Sequence, residues 1–295
     1  MINELKVFLP AHITGFFEII TNDDPRFKGS RGAGITLDEG VVTHTKVTPG
    51  SGRVEILVNG HKNELNTVSQ TTIDVICDLF NVDLSCYDIF IEHSHTFPVG
   101  SGFGTSAGFA LGVSFTLPTL LGIDVSYHMA GEIAHLAEIR LSSGLGDVIA
   151  AMEGGCVVRL REGSPRFGII DKIITPQPIY VICKTLGSLE TSGIIDDPSY
   201  QMKINSSGSS LLDALIRNPN IENFINLSYK FAKNTELINP ELNEIIDIMR
   251  DETLGASMAM LGNTAFALSY TPDISIEDCI ITRLNMSGVK YITQK

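Results

Sequence analysis

A glycine-rich segment near the middle of the chain has the composition of an anion-binding loop. It runs from Pro98 to Gly108 as PVGSGFGTSAG and leads into an apolar stretch. Its three alternating glycines free the backbone for positive φ and let a bulky anion approach closely. A helix that begins directly after such a loop points unpaired N–H groups and a positive dipole end at the anion. The segment therefore predicts a phosphate-binding loop, with the hydroxyls of Thr105 and Ser106 in the first helical turn.

Other kinds of glycine-rich loop differ from this one in identifiable ways. A P-loop requires a lysine before its Ser or Thr, and no lysine occurs between Lys62 and Lys172. The segment from Gly102 to Ala107 matches the spacing of a dinucleotide-binding turn, which belongs after the first strand of a βαβ unit. Here Asp124, the acid at the expected distance, follows residues typical of a helix end and a turn. A dinucleotide site and a glycine turn without a ligand remain as alternatives.

The glycine loop and further motifs resemble those of the GHMP kinases, the family of galactokinase, homoserine kinase and mevalonate kinase. They occur along this chain in the same order as in that family. The glycine loop is similar to the ATP-phosphate loop of that family. Ser143–Asp147, followed by Gly154–Gly155, resembles the segment that holds its catalytic aspartate, and Gly255–Thr264 resembles its third motif. Pro10–Phe17 and Gly29–Ile35 resemble the archaeal branch of the family that phosphorylates pantoate. The resemblance extends from residue 8 to about residue 270.

The resemblance implies an ATP-dependent small-molecule kinase that uses Mg²⁺. Asp147 would orient or deprotonate the attacking hydroxyl, and Ser106 and Glu138 would complete the catalytic set as protein ligands of the metal. From the residues alone, Asp147 is also a candidate to cap a helix, and Glu138 to lie on a solvated helix face. The positions implied to bind ATP are Pro98, Gly100, Ser101, Gly102, Phe103, Gly104, Thr105, Ser106 and Ala107.

Pantoate combines a carboxylate, two hydroxyls and a gem-dimethyl group, so its site needs a fixed cation, hydroxyl partners and an apolar wall. Arg31, Arg140 and Arg159 are the basic candidates for the carboxylate, and the sequence does not choose among them. His12, at a position where other branches of the family carry Lys or Arg, is a candidate donor to the substrate. The residues expected to bind substrate are His12, Ser30, Arg31, His135, Arg159 and Thr191.

Composition limits the classes of function that remain. The chain has 295 residues, which predicts about two domains, and its net charge of −13 argues against a nucleic-acid interface. The uncharged stretch from Thr96 to Ile123 is long enough to cross a bilayer, but its glycines, prolines and hydroxyls favour a loop and a buried helix. Five cysteines without a CxxC pair, and an N-terminus without a signal-peptide pattern, indicate a cytoplasmic protein.

The hydrophobic pattern predicts strands mixed with helices without regular βαβ alternation, which indicates an α+β fold. Strands are expected at 4–9, 54–58, 88–92, 156–160, 179–183, 264–270 and 277–284, and helices at 105–121, 124–141, 209–217, 221–233 and 240–250. The resemblance implies a two-domain GHMP kinase fold, with an N-terminal domain like domain 2 of ribosomal protein S5 and a ferredoxin-like C-terminal domain. A boundary within 161–178 separates the expected domains, 1–165 and 166–295.

The leading hypothesis is phosphorylation of the pantoate 4-hydroxyl by ATP, with no nucleic-acid or membrane partner and with a homodimer as the assembly to test. A kinase of the mevalonate or homoserine type would share the loop and the metal site but differ in its carboxylate partners. Two alternatives come from other classes. One is a protein that kept the fold and binds nucleotide without catalysis, and the other is a dinucleotide-dependent oxidoreductase.

Overall fold

The N-terminal half is built around a seven-stranded mixed sheet. The computed structural model describes residues 2–62, 66–187 and 198–292. The strands of this sheet are β1 (Glu4–Ile20), β2 (Gly29–Pro49), β3 (Val54–Val58), β4 (Tyr87–His95), β5 (Cys156–Arg161), β6 (Ile169–Ile173) and β11 (Lys290–Tyr291). Their order is β11-β1-β2-β4-β3, with β5 paired to β2 and β6 paired to β5. Strands β3 and β4 are parallel, whereas β1 and β2 pair antiparallel along most of their length.

Strand β2 is long enough to pair with two strands, β5 and β4, along the edge opposite to β1. Its first part, Gly32–Ile35, pairs with β5, and its second part, Val41–Pro49, pairs with β4. Two register shifts in the pairing of β1 with β2 flank the segment from His12 to Thr14. Irregularities of this kind bend a strand and re-aim its side chains, so the shifts change the direction of β1 in the middle of the sheet.

Four helices accompany this sheet: α1 (Asn66–Phe80), α2 (Thr105–Leu120), α3 (Tyr127–Leu141) and α4 (Asp147–Glu153). Helix α2 is buried along most of its length because it packs against β1, β2, α1 and α3. Its glycines permit this approach, since an added Cβ would crowd Val41 at Gly108 and overlap Thr43 at Gly112. In the part of the chain that the structure describes, no helix is both long and apolar enough to cross a membrane.

The C-terminal half forms a second, four-stranded antiparallel sheet. Its strands are β7 (Tyr180–Thr185), β8 (Gly255–Met258), β9 (Thr264–Ser269) and β10 (Ile280–Arg283), in the order β10-β7-β9-β8. Between β7 and β8 the chain forms α5 (Pro198–Arg217), α6 (Ile221–Asn234) and α7 (Pro240–Glu252). This strand order, with the β8–β9 hairpin at one edge, is that of a ferredoxin-like sheet. The predicted α+β class is confirmed, and the second sheet has the strand order expected of the C-terminal half.

The β5–β6 hairpin spans the expected boundary between residues 165 and 166. Its second strand pairs with β5 and therefore belongs to the first sheet. Strand β11 also returns to the first sheet, where it pairs with β1. We therefore propose that the division between the halves lies after Ile173 and before Tyr180, which overlaps the interval expected from the sequence.

One cluster of buried hydrophobic residues is shared by the two halves. It includes Phe16 and Ile35 from the first sheet, together with Phe224 from α6 and Phe266 from β9. The ring centroids of Phe16 and Phe224 are 6.4 Å apart. Two further clusters fill the space between the first sheet and helices α1 to α4. The two sheets are thus joined by packed side chains as well as by the chain itself.

Candidate active site

The glycine loop adopts the conformation expected for an anion-binding loop. Gly100, Gly102 and Gly104 have φ values of 76°, 91° and 61°, a region that favours glycine. Helix α2 begins directly after the loop, and Gly104 caps it without a side-chain hydrogen bond to the first amides. The N–H groups of the first helical turn are therefore available to an anion.

Contacts from both halves hold this loop. The Oγ1 of Thr264 donates a hydrogen bond of 2.8 Å to the carbonyl of Ser101, and the N–H of His12 donates one of 3.0 Å to the carbonyl of Phe103. An added Cβ on Gly262 would overlap the backbone at Ser101, so this glycine allows the β8–β9 hairpin to approach. The third motif thus braces the loop from the C-terminal half.

The loop forms one wall of a cavity of about 360 Å³. Of the residues expected to act in catalysis or to bind ATP or substrate, those that line the cavity are Gly100, Gly102, Phe103, Gly104, Thr105, Ser106, Ser30, Asp147 and Arg159. Pro98, Ser101 and Ala107 belong to the loop and the start of α2 but are not among the lining residues. Thr14, Phe17, Met260 and Leu261 line the cavity and were not predicted. For Thr14 and Phe17, the available signal was their place in the N-terminal motif.

Asp147 is the first residue of α4 and lines the cavity, with 25% of its side chain exposed. Its Oδ1 lies 2.6 Å from Nδ1 of His12 and 3.5 Å from Oγ1 of Thr14. Burial raises the pKa of this carboxyl, but the hydrogen bond from His12 and the positive charge of Arg159 outweigh burial and hold the pKa below its usual value. Asp147 is therefore a carboxylate near neutral pH and accepts hydrogen bonds.

Glu138 lies on α3, buried beside the first turn of α2. Its carboxylate accepts hydrogen bonds from Oγ of Ser143 at 2.8 Å and from Oγ of Ser106 at 3.2 Å. Burial raises its pKa to about 7, and the negative charge of Asp147 adds to the rise. A buried carboxylate near a second carboxylate and a serine hydroxyl is an arrangement that a bound cation would stabilise.

Arg159 extends from β5 to the same cavity, although only 1% of its surface is exposed. Its Nε and Nη1 atoms have no hydrogen-bond partner among the described residues. Burial lowers its pKa to about 10, so the guanidinium keeps its charge at neutral pH. An added Cβ on Gly146 would lie 2.6 Å from Nε, so this glycine provides the room for the side chain. A buried guanidinium without hydrogen bonds is costly unless an anion meets it, and this part of the cavity therefore fits a carboxylate.

Comparison with known proteins identifies the family. Residues 66–155 match the family described as GHMP kinases N terminal domain. This range includes the glycine loop, Glu138 and Asp147. A pantoate kinase from Methanocaldococcus jannaschii is 40% identical over 263 residues, which cover 89% of this chain and 92% of that protein. The chain belongs to the pantoate kinase family of GHMP kinases.

Solved structures agree with this family. One described as a phosphotransferase related to the CoA biosynthesis pathway superposes with a TM-score of 0.85 at 29% identity and covers 98% of both chains. Homoserine kinase from Cytophaga hutchinsonii superposes with a TM-score of 0.70 at 18% identity, over 99% of this chain and 98% of that one. The second likeness shows that the two proteins share the GHMP kinase fold.

The other basic candidates of this GHMP kinase are paired elsewhere. Arg31 forms an ion pair with the buried Glu18 between β1 and β2. Arg140 forms an ion pair of 3.0 Å with the exposed Asp78. Neither arginine belongs to the described residues that line the cavity. Of the three arginines considered for the substrate carboxylate, the structure brings only Arg159 to the glycine loop and Asp147.

Two residues expected to bind substrate, His12 and His135, are not among the described residues that line the cavity. The side chain of His12 is fully buried against Asp147. The Nε2 atom of His135 lies 3.0 Å from the carbonyl oxygen of Pro25, in the connection between β1 and β2. Thr191 lies outside the described residues. The direct contacts expected of these three residues with substrate stay predictions.

Proposed function

We propose that this GHMP kinase transfers the γ-phosphoryl group of ATP to the 4-hydroxyl of (R)-pantoate, which yields 4-phosphopantoate and ADP. The reaction would be a step of coenzyme A biosynthesis. The observation that carries the proposal is that Asp147 and Arg159 lie at one cavity, which the glycine loop also lines, and that two nitrogens of Arg159 have no hydrogen-bond partner among the described residues. A proton acceptor and a fixed cation beside a phosphate-binding loop match a hydroxy acid as the phosphoryl acceptor.

The glycine loop would bind the phosphates of ATP. Phosphoryl transfer depends on positioning and on neutralising charge more than on covalent chemistry. Because no lysine occurs between Lys62 and Lys172, the loop N–H groups and the N-terminus of α2 would meet much of the phosphate charge. Thr105 and Ser106 would add two hydroxyls in the first turn of that helix.

Ser106 and Glu138 fit a magnesium ion and would be its protein ligands. They present a hydroxyl and a carboxylate oxygen 3.2 Å apart, and hard oxygen atoms are the ligands that Mg²⁺ prefers. The raised pKa of Glu138 agrees with this assignment, because a buried carboxylate without a cation resists ionisation. When bound, the ion would neutralise charge that develops on the phosphates.

The groups around Arg159 match the other parts of pantoate. Arg159 would bind the carboxylate with charge-assisted hydrogen bonds from its unpartnered nitrogens. The hydroxyls of Ser30 and Thr14 line the same cavity and would bind the 2-hydroxyl. Phe17 and Met260 also line it and would form the apolar wall for the gem-dimethyl group. This set supplies the fixed cation, the hydroxyl partners and the apolar surface that the substrate needs.

Asp147 would orient the 4-hydroxyl and accept its proton as the new bond to phosphorus forms. The hydroxyl has a pKa far above 7, so it gains from a base only as the transition state develops. The lowered pKa of Asp147 keeps the carboxylate ionised before that point. Its position at the start of α4 places it directly against the glycine loop, since an added Cβ on Gly104 would lie 3.5 Å from Oδ1.

The test is release of ADP by the purified protein with ATP and Mg²⁺, in parallel reactions with pantoate, mevalonate, homoserine or no acceptor. We expect turnover with pantoate alone. Turnover only with another alcohol would keep the kinase and discard pantoate as the substrate. Binding of ATP without turnover on any acceptor would instead indicate a nucleotide-binding protein that kept the fold.

We also propose a cytoplasmic location and a homodimeric assembly. The five cysteines are all free thiols, which suits a reducing compartment. Cell fractionation tests the location. Light scattering tests the assembly, because a mass near 32.0 kDa in solution would reject the homodimer.

A further inference from the structure

His12 contacts both Asp147 and the glycine loop, the two functional parts of the cavity. Its ring is fully buried, and Nδ1 lies 2.6 Å from Oδ1 of Asp147. Its backbone N–H donates a hydrogen bond of 3.0 Å to the carbonyl of Phe103 in the glycine loop. One residue of β1 therefore touches both the carboxylate that faces the acceptor and the loop that faces the phosphates.

The surroundings of the ring determine which nitrogen carries the proton. Nε2 has no hydrogen-bond partner among the described residues, and an added Cβ on Gly34 would overlap it. Burial lowers the pKa of His12 and so favours the neutral ring, and Nδ1 lies 2.6 Å from the carboxylate of Asp147. Because a carboxylate can only accept, a proton lies on Nδ1 and is donated to Asp147.

This donation leaves the two oxygens of Asp147 in different situations. Oδ1 accepts from His12 and lies 3.5 Å from the hydroxyl of Thr14. Oδ2 has no such contact with these two residues and lies toward the Gly144 side, 3.5 Å from where a Cβ on that residue would be. Fixing one oxygen of a carboxylate also fixes the plane and direction of the other.

We propose that His12 is a positioning residue, whose Nδ1–H group holds Oδ1 of Asp147 so that Oδ2 is presented to the acceptor hydroxyl. The hydrogen bond from the backbone N–H of His12 to Phe103 keeps this carboxylate at a fixed position relative to the phosphate loop. His12 thus acts through Asp147 and does not itself contact the substrate. The inference rests on the proposed role of Asp147 in phosphoryl transfer.

Two substitutions separate this role from simple packing. His12→Leu keeps an apolar side chain of similar size and removes the donor, whereas His12→Asn keeps an N–H group near the position of Nδ1. We expect His12→Leu to lower kcat about 100-fold, the scale of a misplaced catalytic group, with the KM values for ATP and acceptor nearly unchanged. We expect His12→Asn to stay within about threefold of the wild-type kcat.

A double-mutant cycle tests whether His12 acts through Asp147. In the background of Asp147→Asn, His12→Leu should cause no further loss of kcat, because the group that it positions is already disabled. Additive losses would overturn the proposal. So would an equal loss in His12→Asn and His12→Leu, or a raised acceptor KM with normal kcat, which would indicate direct contact with the substrate.

A measurement on the unmutated protein covers the case in which His12→Leu does not fold. Nitrogen-15 NMR of the histidines should show a proton on Nδ1 of His12 at pH 7. A ring with its single proton on Nε2, and none on Nδ1, would overturn the proposal. All kinetic comparisons use whichever acceptor the wild-type enzyme phosphorylates, so failure of the pantoate assignment and failure of the positioning role give different results.

Discussion

Oε2 of Glu138 occupies the space that a Cβ on Gly144 would need, because an atom added there would overlap it. The backbone of Gly144 is not among the positive-φ positions, so the requirement for glycine is one of space and not of conformation. The same loop carries Ser143, whose hydroxyl donates to the other oxygen of Glu138 at 2.8 Å. The loop before α4 is therefore fitted closely around the proposed metal ligand.

Substitution Gly144→Ala should displace the carboxylate of Glu138 and weaken metal-dependent turnover. We expect kcat at fixed Mg²⁺ to fall about 10-fold or more, with partial recovery as Mg²⁺ is raised. Titration of activity with Mg²⁺ measures this. Gly122→Ala is the control, since it strains a backbone with φ of 76° in open space and should cost stability without affecting the Mg²⁺ requirement. An unchanged Mg²⁺ requirement in Gly144→Ala would argue against Glu138 as a ligand.

Substitution Asp147→Asn should remove the proton acceptor and leave the shape of the site intact. We expect kcat to fall at least about 100-fold, the usual scale of an acid–base contribution, with little change in the substrate KM. Steady-state kinetics with pantoate and ATP measure both quantities. Asp124→Asn, a change at a carboxyl outside the cavity, is the control. Retention of most of the turnover would remove Asp147 from the mechanism.

Three arginine substitutions should distinguish the candidates for the substrate carboxylate. Arg159→Met should raise the pantoate KM by about 100-fold, the worth of a charged hydrogen-bonded pair, and leave the ATP KM unchanged. Because Nε and Nη1 of the buried Arg159 have no hydrogen-bond partner among the described residues, its removal should lower the free energy of unfolding of the free enzyme less than removal of Arg31 does. Arg31→Met should leave the pantoate KM unchanged and lower the free energy of unfolding, since it leaves the buried Glu18 without its partner.

The exposed Arg140 is the neutral member of this comparison, and Arg140→Met should change neither quantity. Kinetics together with urea unfolding give both measurements for each variant. A normal pantoate KM in Arg159→Met would show that a group other than Arg159 binds the pantoate carboxylate.

The buried His93 should make the protein less stable in acid. Its Nδ1 and Nε2 atoms lie 2.8 Å from the hydroxyls of Thr43 and Ser69, and burial lowers its pKa to about 3. The folded state therefore disfavours the proton that the unfolded chain binds below about pH 6.5. Its stabilising contribution is complete above that pH and is lost as pH falls toward 3, by about 2 kcal/mol at pH 5.

Urea unfolding at pH 7 and pH 5 tests this contribution. His93→Gln should lower stability at pH 7 but show a loss between the two pH values that is smaller by about 2 kcal/mol. His61→Gln, at an exposed turn position, should keep the wild-type loss. The same loss in all three proteins would show that His93 does not remain neutral in the folded state.

The glycine loop and helix α2 could be predicted because each depends on local sequence, whereas the place of Asp147 near the loop was implied by the motif resemblance. The helix expected over 105–121 is Thr105–Leu120 in the structure. Strand β2 was missed because its glycines and polar residues lack strict alternation, and pairing with neighbours on both sides stabilises it instead. Helix α1 was missed because its many β-branched residues disfavour a helix, while burial of Ile73 and Ile76 decides the outcome.

The partners of the site residues could not be predicted, because they are distant in sequence. His12 and Asp147 are 135 residues apart and meet only through the packing of α4 on β1. The choice of Arg159 depends on the register of β5 with β2, which places it opposite Gly32. No local pattern distinguishes Arg159 from Arg31, since the difference between them is that Arg31 forms an ion pair with the buried Glu18, whereas Nε and Nη1 of Arg159 have no partner among the described residues.

The hydrophobic core that both halves share, with Phe16 and Phe224 in one cluster, has a consequence for how this kinase melts. If one half unfolded, the apolar side chains that it covers in the other half would be exposed to water. We therefore expect a single cooperative transition in calorimetry, and an N-terminal fragment expressed alone to aggregate. Access for ligands would then depend on movement of the loops around the cavity, because rotation of the lobes would have to open that shared core.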